Sequence, residues 1–178
     1  MEKQDTVLQP KDTARWLCRY RLSKYQEDIG AYRGREAEFH EKFKPYEVIE
    51  GEGNCLLNSG INEMWDLITG EVSGSGYIFD NAAAQIGVGD SSTAATPSQT
   101  DLQAATNKTY KGMESGYPTS TSQKATFKAS FGDSDANYAW NEWVVKQATS
   151  AKCLNRKVES LGTKSSGTWT LEVSITLS

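Results

Sequence analysis

The sequence predicts a mainly β protein: an antiparallel β-sandwich carrying one α-helix and an extended N-terminal arm. Three observations lead there. The last stretch alternates strictly, with Trp169, Leu171, Val173, Ile175 and Leu177 on one side and Thr168, Thr170, Glu172, Ser174 and Thr176 on the other, the period of a strand buried on one face. Leu57, Ile61, Met64, Trp65 and Ile68 recur instead at helical spacing, giving one apolar stripe to bury. Finally, residues 1–50 are charge-dense, with ten Lys or Arg and ten Asp or Glu, whereas residues 51–178 hold nine and thirteen. That shift sets the expected division: 1–52 a partner-binding arm with one or two strands, and 53–178 the sandwich, with its helix near 54–69.

Along the chain, Trp16, Cys18, Tyr20 and Leu22 fall at every second position with Arg19, Arg21 and Ser23 between them, which reads as a strand. Two fates are open to it, pairing with the sheet edge of another chain or completing the domain's own sheet. Residues 26–44 are charged, contain Gly30 and Gly34, and scatter Tyr32, Phe39 and Phe43 without a period. They read as an extended arm with at most a short helical turn near 36–43. Pro45 disfavours helix at Lys44, so 46–50 is a short strand ending at Gly51 and Gly53. The helix follows, and Gly70 stands where a left-handed C-cap belongs. Residues 77–79 and 84–88 read as two short strands, 89–99 as a Ser/Thr/Ala-rich surface loop, and 101–106 as a helical turn leading to a strand at 108–113. Phe127, Ala129 and Phe131 alternate with Lys128 and Ser130; a turn at 132–135 precedes a strand over 138–146. A hairpin is expected from 155–161 through the Gly162–Gly167 turn into the last strand. Short strands bounded by turn signals favour two sheets packed face to face. The sequence stops one residue beyond Leu177, which assigns any reach toward a partner to the N-terminal fifty residues.

A chain of 178 residues can bury roughly 70% of its unfolded surface, enough for one domain without staples. The formal charge of −4 is dispersed, so no wide positive field is offered to nucleic acid. No run of about 18 apolar residues occurs and the N-terminal MEKQDTVLQPKD lacks the apolar segment of a signal peptide. No membrane partner is expected, and synthesis is expected in the cytosol. Cys18, Cys55 and Cys153 are an odd number without a Cys-x-x-Cys pair, against a disulfide framework or zinc knuckle. They read as buried small hydrophobes, with an inter-subunit disulfide as the alternative.

Catalytic signals are sparse. His40 is the only histidine and lies in the charged arm, where a solvated side chain is expected. Gly-x-Ser-x-Gly, a Walker loop and Gly-x-Gly-x-x-Gly are all missing from the sequence, and Gly87-Val-Gly89 reads as a backbone turn. Asp133 and Asp135 in Gly-Asp-Ser-Asp-Ala-Asn, with Asp80 and Asp90 elsewhere, are oxygen ligands in principle, but the EF-hand glycine and distal glutamate are lacking. An Asx-capped turn is the preferred reading. The expectation is therefore no enzyme, no catalytic residue, no metal and no cofactor. Trp65 and Trp169 lie on stripes that the core needs. Trp140 and Trp143, three apart on one expected strand, must face opposite ways, so one of them is a candidate surface aromatic. The candidate partner interface is Trp16, Arg19, Tyr20, Arg21, Tyr32, Phe39 and Phe43.

Several ordered segments carry a resemblance: residues 46–61, the loop Ile86-Gly-Val-Gly-Asp-Ser-Ser92, residues 99–103, 112–118 and 131–143, and Leu154-Asn-Arg-Lys157. Over about 45–178 the chain resembles small virion structural proteins encoded among the head and tail genes of tailed bacteriophages. The resemblance implies a structural protein of the virion, assembled in the host cytoplasm, homo-oligomeric and without catalysis. Its implied partners are the major capsid protein or neighbouring copies of itself. The first reading is a capsid decoration or cement protein bound to the outer shell through the arm. The alternative is a tail, baseplate or fibre component that joins tail parts or binds a host surface, on a weak analogy of residues 136–143 to tail-fibre strands. Cys55 stands where an aliphatic residue is expected, which keeps a covalent link between subunits open.

Overall fold

The computed structural model describes residues 14–74 and 76–178; the first thirteen residues of the expected arm, with the polar N-terminal stretch, lie outside the described residues. The strictly alternating last segment forms β10 (Thr168–Leu177). Antiparallel to it, β1 (Trp16–Tyr25) is in register from Trp16↔Leu177 to Tyr25↔Thr168, and β7 (Lys124–Phe131) pairs on its other side. With β2 (Glu47–Glu52) and β6 (Thr119–Thr121) at the edges, the first sheet has the order β2-β1-β10-β7-β6. The second sheet combines β3 (Cys55–Leu56), β9 (Cys153–Val158), β8 (Glu142–Gln147), β4 (Ala84–Gly89) and β5 (Lys108–Gly112), in that spatial order. Every pairing is antiparallel. Tyr20, Leu22, Phe131, Leu171 and Val173 of the first sheet share one buried core with Ile86, Val88, Trp143 and Val145 of the second. The expected mainly β, two-sheet architecture is present.

Among the described residues no extended arm is shown. β1 lies between β2 and β10, Tyr20 is 3% exposed and Leu22 is fully buried, so residues 14–52 complete the domain's own first sheet and a boundary at 52/53 does not divide the described fold. The charge count misleads because it does not separate the faces of β1: Arg19 and Arg21 point outward, whereas Cys18, Tyr20 and Leu22 are buried. Residues 26–45 are also folded, through a 3-10 turn (Gly30–Tyr32) and α1 (Glu36–Lys42), so the described residues hold two α-helices rather than one. Ile29 and Phe39 are fully buried against Tyr25, one of two small clusters outside the main core, the other being Leu57, Leu102, Val144 and Cys153.

Three local expectations also change. β9 and β10 belong to different sheets, so 155–177 is a crossing rather than a hairpin. Leu161, 1% exposed, holds the link inward, and its N–H donates to the Trp140 carbonyl at 2.8 Å. Residues 101–106 are irregular, and Tyr77 and Ile78 lie in a turn.

The second helix, α2 (Asn58–Thr69), ends as expected at Gly70, whose φ of 79° is left-handed. Its orientation is set by Gly60, where a Cβ would lie 2.5 Å from the Leu154 carbonyl oxygen. Glycine lets the helix rest directly on β9. This turns Gly60 and Glu63 inward and leaves Trp65 60% and Ile68 70% exposed, so the expected apolar stripe is only partly the buried one.

Candidate functional site

At the end of the sandwich where β1 begins and β10 ends, Trp16 and Leu177 face each other in register. Ile175 and Phe127 continue the wall, and Met64 of α2 and Phe79 from the loop after it close the opposite side, around an open cavity of about 420 Å³. Lys124 is the one charged side chain of its lining. The Trp16 indole N–H is satisfied by Asn54 Oδ1 at 3.1 Å. Next along the chain from Met64 stand the exposed Trp65 and Ile68, and next to Phe79 stand Tyr77 and Ile78, 38% and 41% exposed, while Leu177 at the rim is 44% exposed. Single exposed hydrophobes are ordinary; here Trp65 and Ile68 belong to α2, Tyr77 and Ile78 to the loop after it, and Leu177 to the cavity lining. Ser120, Ser122 and Gln123 supply the remaining polar side chains of the lining.

A second constellation is polar. His40 is not the solvated residue expected; its side chain is 15% exposed, with Nδ1 3.1 Å from the Tyr25 hydroxyl and Nε2 2.9 Å from Glu114 Oε1. Lys128 Nζ lies 3.2 Å from Glu114 Oε2, and the Ser130 hydroxyl donates to Glu114 Oε1 and meets Thr170. Burial raises the Glu114 pKa, but His40, Lys128 and Ser130 together outweigh it and leave the carboxyl below its ordinary value. Ser130 is 1% exposed, so its hydroxyl is sealed from any substrate, and the group fastens residues 26–45 to the first sheet.

Of the candidate interface residues, only Trp16 joins the apolar cavity. Tyr20 and Phe39 are buried within the chain and cannot form a partner surface, and Tyr32 and Phe43 are half-buried against Phe39. Arg19 and Arg21 are exposed but paired with Glu52 at 3.7 Å and Glu50 at 2.9 Å. Cys18 and Cys153 are sealed in the interior, where burial pushes both thiols up to about 12. Neither can meet a sulfur of another subunit; Cys55 is half-buried.

The oxygens of the 132–137 loop are already occupied. The Lys164 ammonium donates to the Gly132 carbonyl at 2.7 Å and to Asn137 Oδ1 at 2.9 Å. Among the described residues no group of three or more His, Cys, Asp or Glu side chains is placed to hold a metal ion, and no described helix is long and apolar enough to cross a membrane. Trp140 and Trp143 are both fully buried, because Trp140 precedes β8 and escapes its alternation; its ring packs 4.7 Å from Phe131 and 4.9 Å from Trp169. Gly87 and Gly89 lie within β4 rather than in a turn. Their missing side chains admit the Tyr110 ring and the Glu142 carboxylate, to which a Cβ would approach within 2.6 Å in each case, as glycine in a strand often signals.

Trp65 and Ile68 are exposed residues that periodicity assigned to the core. The signal that could have placed them outside is Gly60, whose bare backbone marks the contact side of the helix. Compared with protein-family models, curated proteins and solved structures, the chain has no significant match.

Proposed function

We propose that this chain is a structural protein of a tailed-bacteriophage virion, a capsid decoration protein that attaches through the apolar surface around α2. The observation that carries attachment is the exposed set Trp65, Ile68, Tyr77, Ile78 and Leu177 beside the open apolar cavity. What supports the virion setting is the ordered resemblance of residues 45–178 described above. Modest single contacts of this kind become strong when many copies are held on one lattice, which suits a surface with aromatic and aliphatic anchors and few charges.

The test is occupancy on undecorated capsids. Wild-type protein is expected to saturate at one copy, or a simple ratio, per capsid subunit, and Trp65→Glu with Ile68→Glu to lose binding while remaining folded. A stoichiometry of a handful of copies per particle points instead to a tail position, and full occupancy by the double variant removes the α2 surface from the proposal.

A further inference from the structure

Residues 26–45 fold over the outer face of the first sheet and leave a polar cavity of about 310 Å³ between cover and strands, at the small end of the range for ligand pockets. Its floor is made by outward positions of β1, β7 and β10, and its cover by His40, Lys44 and Pro45. Ser23 and Thr170 on that floor are only 8% and 3% exposed although they face away from the core. The cover is fixed in place. The Tyr46 N–H donates to the Lys24 carbonyl at 2.8 Å, and His40 bridges the Tyr25 hydroxyl and Glu114.

Most charges around the cavity are spent on one another. Arg21 pairs with Glu50, and Lys128 and His40 converge on Glu114. Two charges of the lining are not spent in this way: among the described residues the Lys44 ammonium and the Glu172 carboxylate have no ion-pair partner, and they do not pair with each other. An ammonium only donates and a carboxylate only accepts. An occupant that satisfies both therefore brings a negatively charged acceptor to Lys44 and a donor to Glu172. In register, Glu172 stands between Arg21 on β1 and Lys128 on β7, and these cations disfavour a further positive charge beside it. The donor is then a neutral hydroxyl. We propose that this cavity binds a small hydroxylated anion, a sugar acid or sugar phosphate, with its carboxylate or phosphate at Lys44 and its hydroxyls at Glu172. No residue of the α2 attachment surface lines the cavity, so the site stands or falls independently of the virion reading.

The test titrates the full-length protein with glucuronate and with glucose-6-phosphate, beside glucose and inorganic phosphate at matched ionic strength, and follows backbone amide resonances. Saturable shifts at Tyr25, Lys44 and Lys128 are expected with one or both anionic sugars. Half-saturation is expected roughly tenfold below that of glucose or inorganic phosphate, since each of these offers only one of the two contacts. Preference between the two anionic sugars separates a carboxylate ligand from a phosphate one. Lys44→Met and Glu172→Ala are each expected to weaken binding roughly tenfold, whereas Lys108→Met, on β5, leaves it unchanged. Lys44 is exposed and Glu172 half-buried, so both variants are expected to keep the wild-type spectrum away from the cavity. Equal binding of inorganic phosphate and glucose-6-phosphate, with Glu172→Ala indifferent, marks a bare anion site and overturns the proposal. Saturable shifts that neither substitution reduces overturn it as well, as does the lack of saturable shifts with both anionic sugars.

Discussion

On the outer face of β8 and β9 a charged pair is sealed from water, while at the α2 end of the same sandwich Trp65 and Ile68 are left in it. Glu142 and Arg156 are both fully buried, 2.7 Å apart, and nothing around them is left wanting. Arg156 also donates to Gln99 Oε1 and to the Thr93 carbonyl, each at 2.9 Å. The two Glu142 oxygens accept the N–H groups of Gln103 at 3.0 Å and Ala104 at 2.7 Å. Residues 93–104 are thereby folded over the sheet by matched polar groups, and Leu102 is carried inward to 3% exposure. Where the chain encodes a complementary cover, it closes even over charges, which is the more demanding task. At the α2 end, by contrast, no described segment covers Trp65 or Ile68.

The comparison breaks most readily at the ion pair. Arg156→Met leaves Glu142 buried and unpaired, and an unfolding free energy lower by about 3–5 kcal/mol is expected from denaturant titration. Combining it with Glu142→Leu is expected to restore much of the loss, and a small effect of the single variant would mean that the loop is held by apolar contacts alone. Next in size is Gly60→Ala, which forces α2 away from Leu154; overpacking of this kind costs about 1–3 kcal/mol. Its spectroscopic mark is a shift in Trp65 emission, since that side chain travels with the helix.

Acid offers a finer test of the closed regions. Glu114 is held below its ordinary value of 4.5. Asp101 is below 3.8, burial there being outweighed by Lys146, Tyr110 and the Leu102 N–H. Groups with lowered folded pKa values contribute stability above the ordinary value and lose it as the pH falls through the folded one. Stability is therefore expected to decline below about pH 4.5, and Glu114→Gln to flatten that slope in a pH series of melts. The smallest effect on stability belongs to the open end. Trp65→Glu and Ile68→Glu are expected to stay within about 0.5 kcal/mol of wild type while losing capsid binding; strong destabilisation by either would place these side chains in the core.

Legibility followed the reach of local patterns. β1, β4, β7 and β10 were each read within a residue or two or as part of a longer strand, because period-two alternation records one dry and one wet face. The C-cap at Gly70 was equally plain. The polar sites were invisible. His40 and Glu114 are 74 positions apart, Lys164 and Gly132 are 32 apart, and no spacing rule joins residues so distant. Trp140 was misassigned for a related reason: the alternation rule holds only inside a strand, and its boundary at Glu142 was drawn four residues early.

Alternation and one helical stripe in the sequence determined that this protein is built of antiparallel strands with a dry interior, since those periods follow from backbone geometry alone. Tertiary structure alone decided which sheet each strand joins, that residues 14–52 belong to the body, and that Gly60 rather than Trp65 faces β9. Those outcomes depend on which surfaces meet across long stretches of chain, and the free energy of that meeting is a property of the pair, written in neither segment by itself.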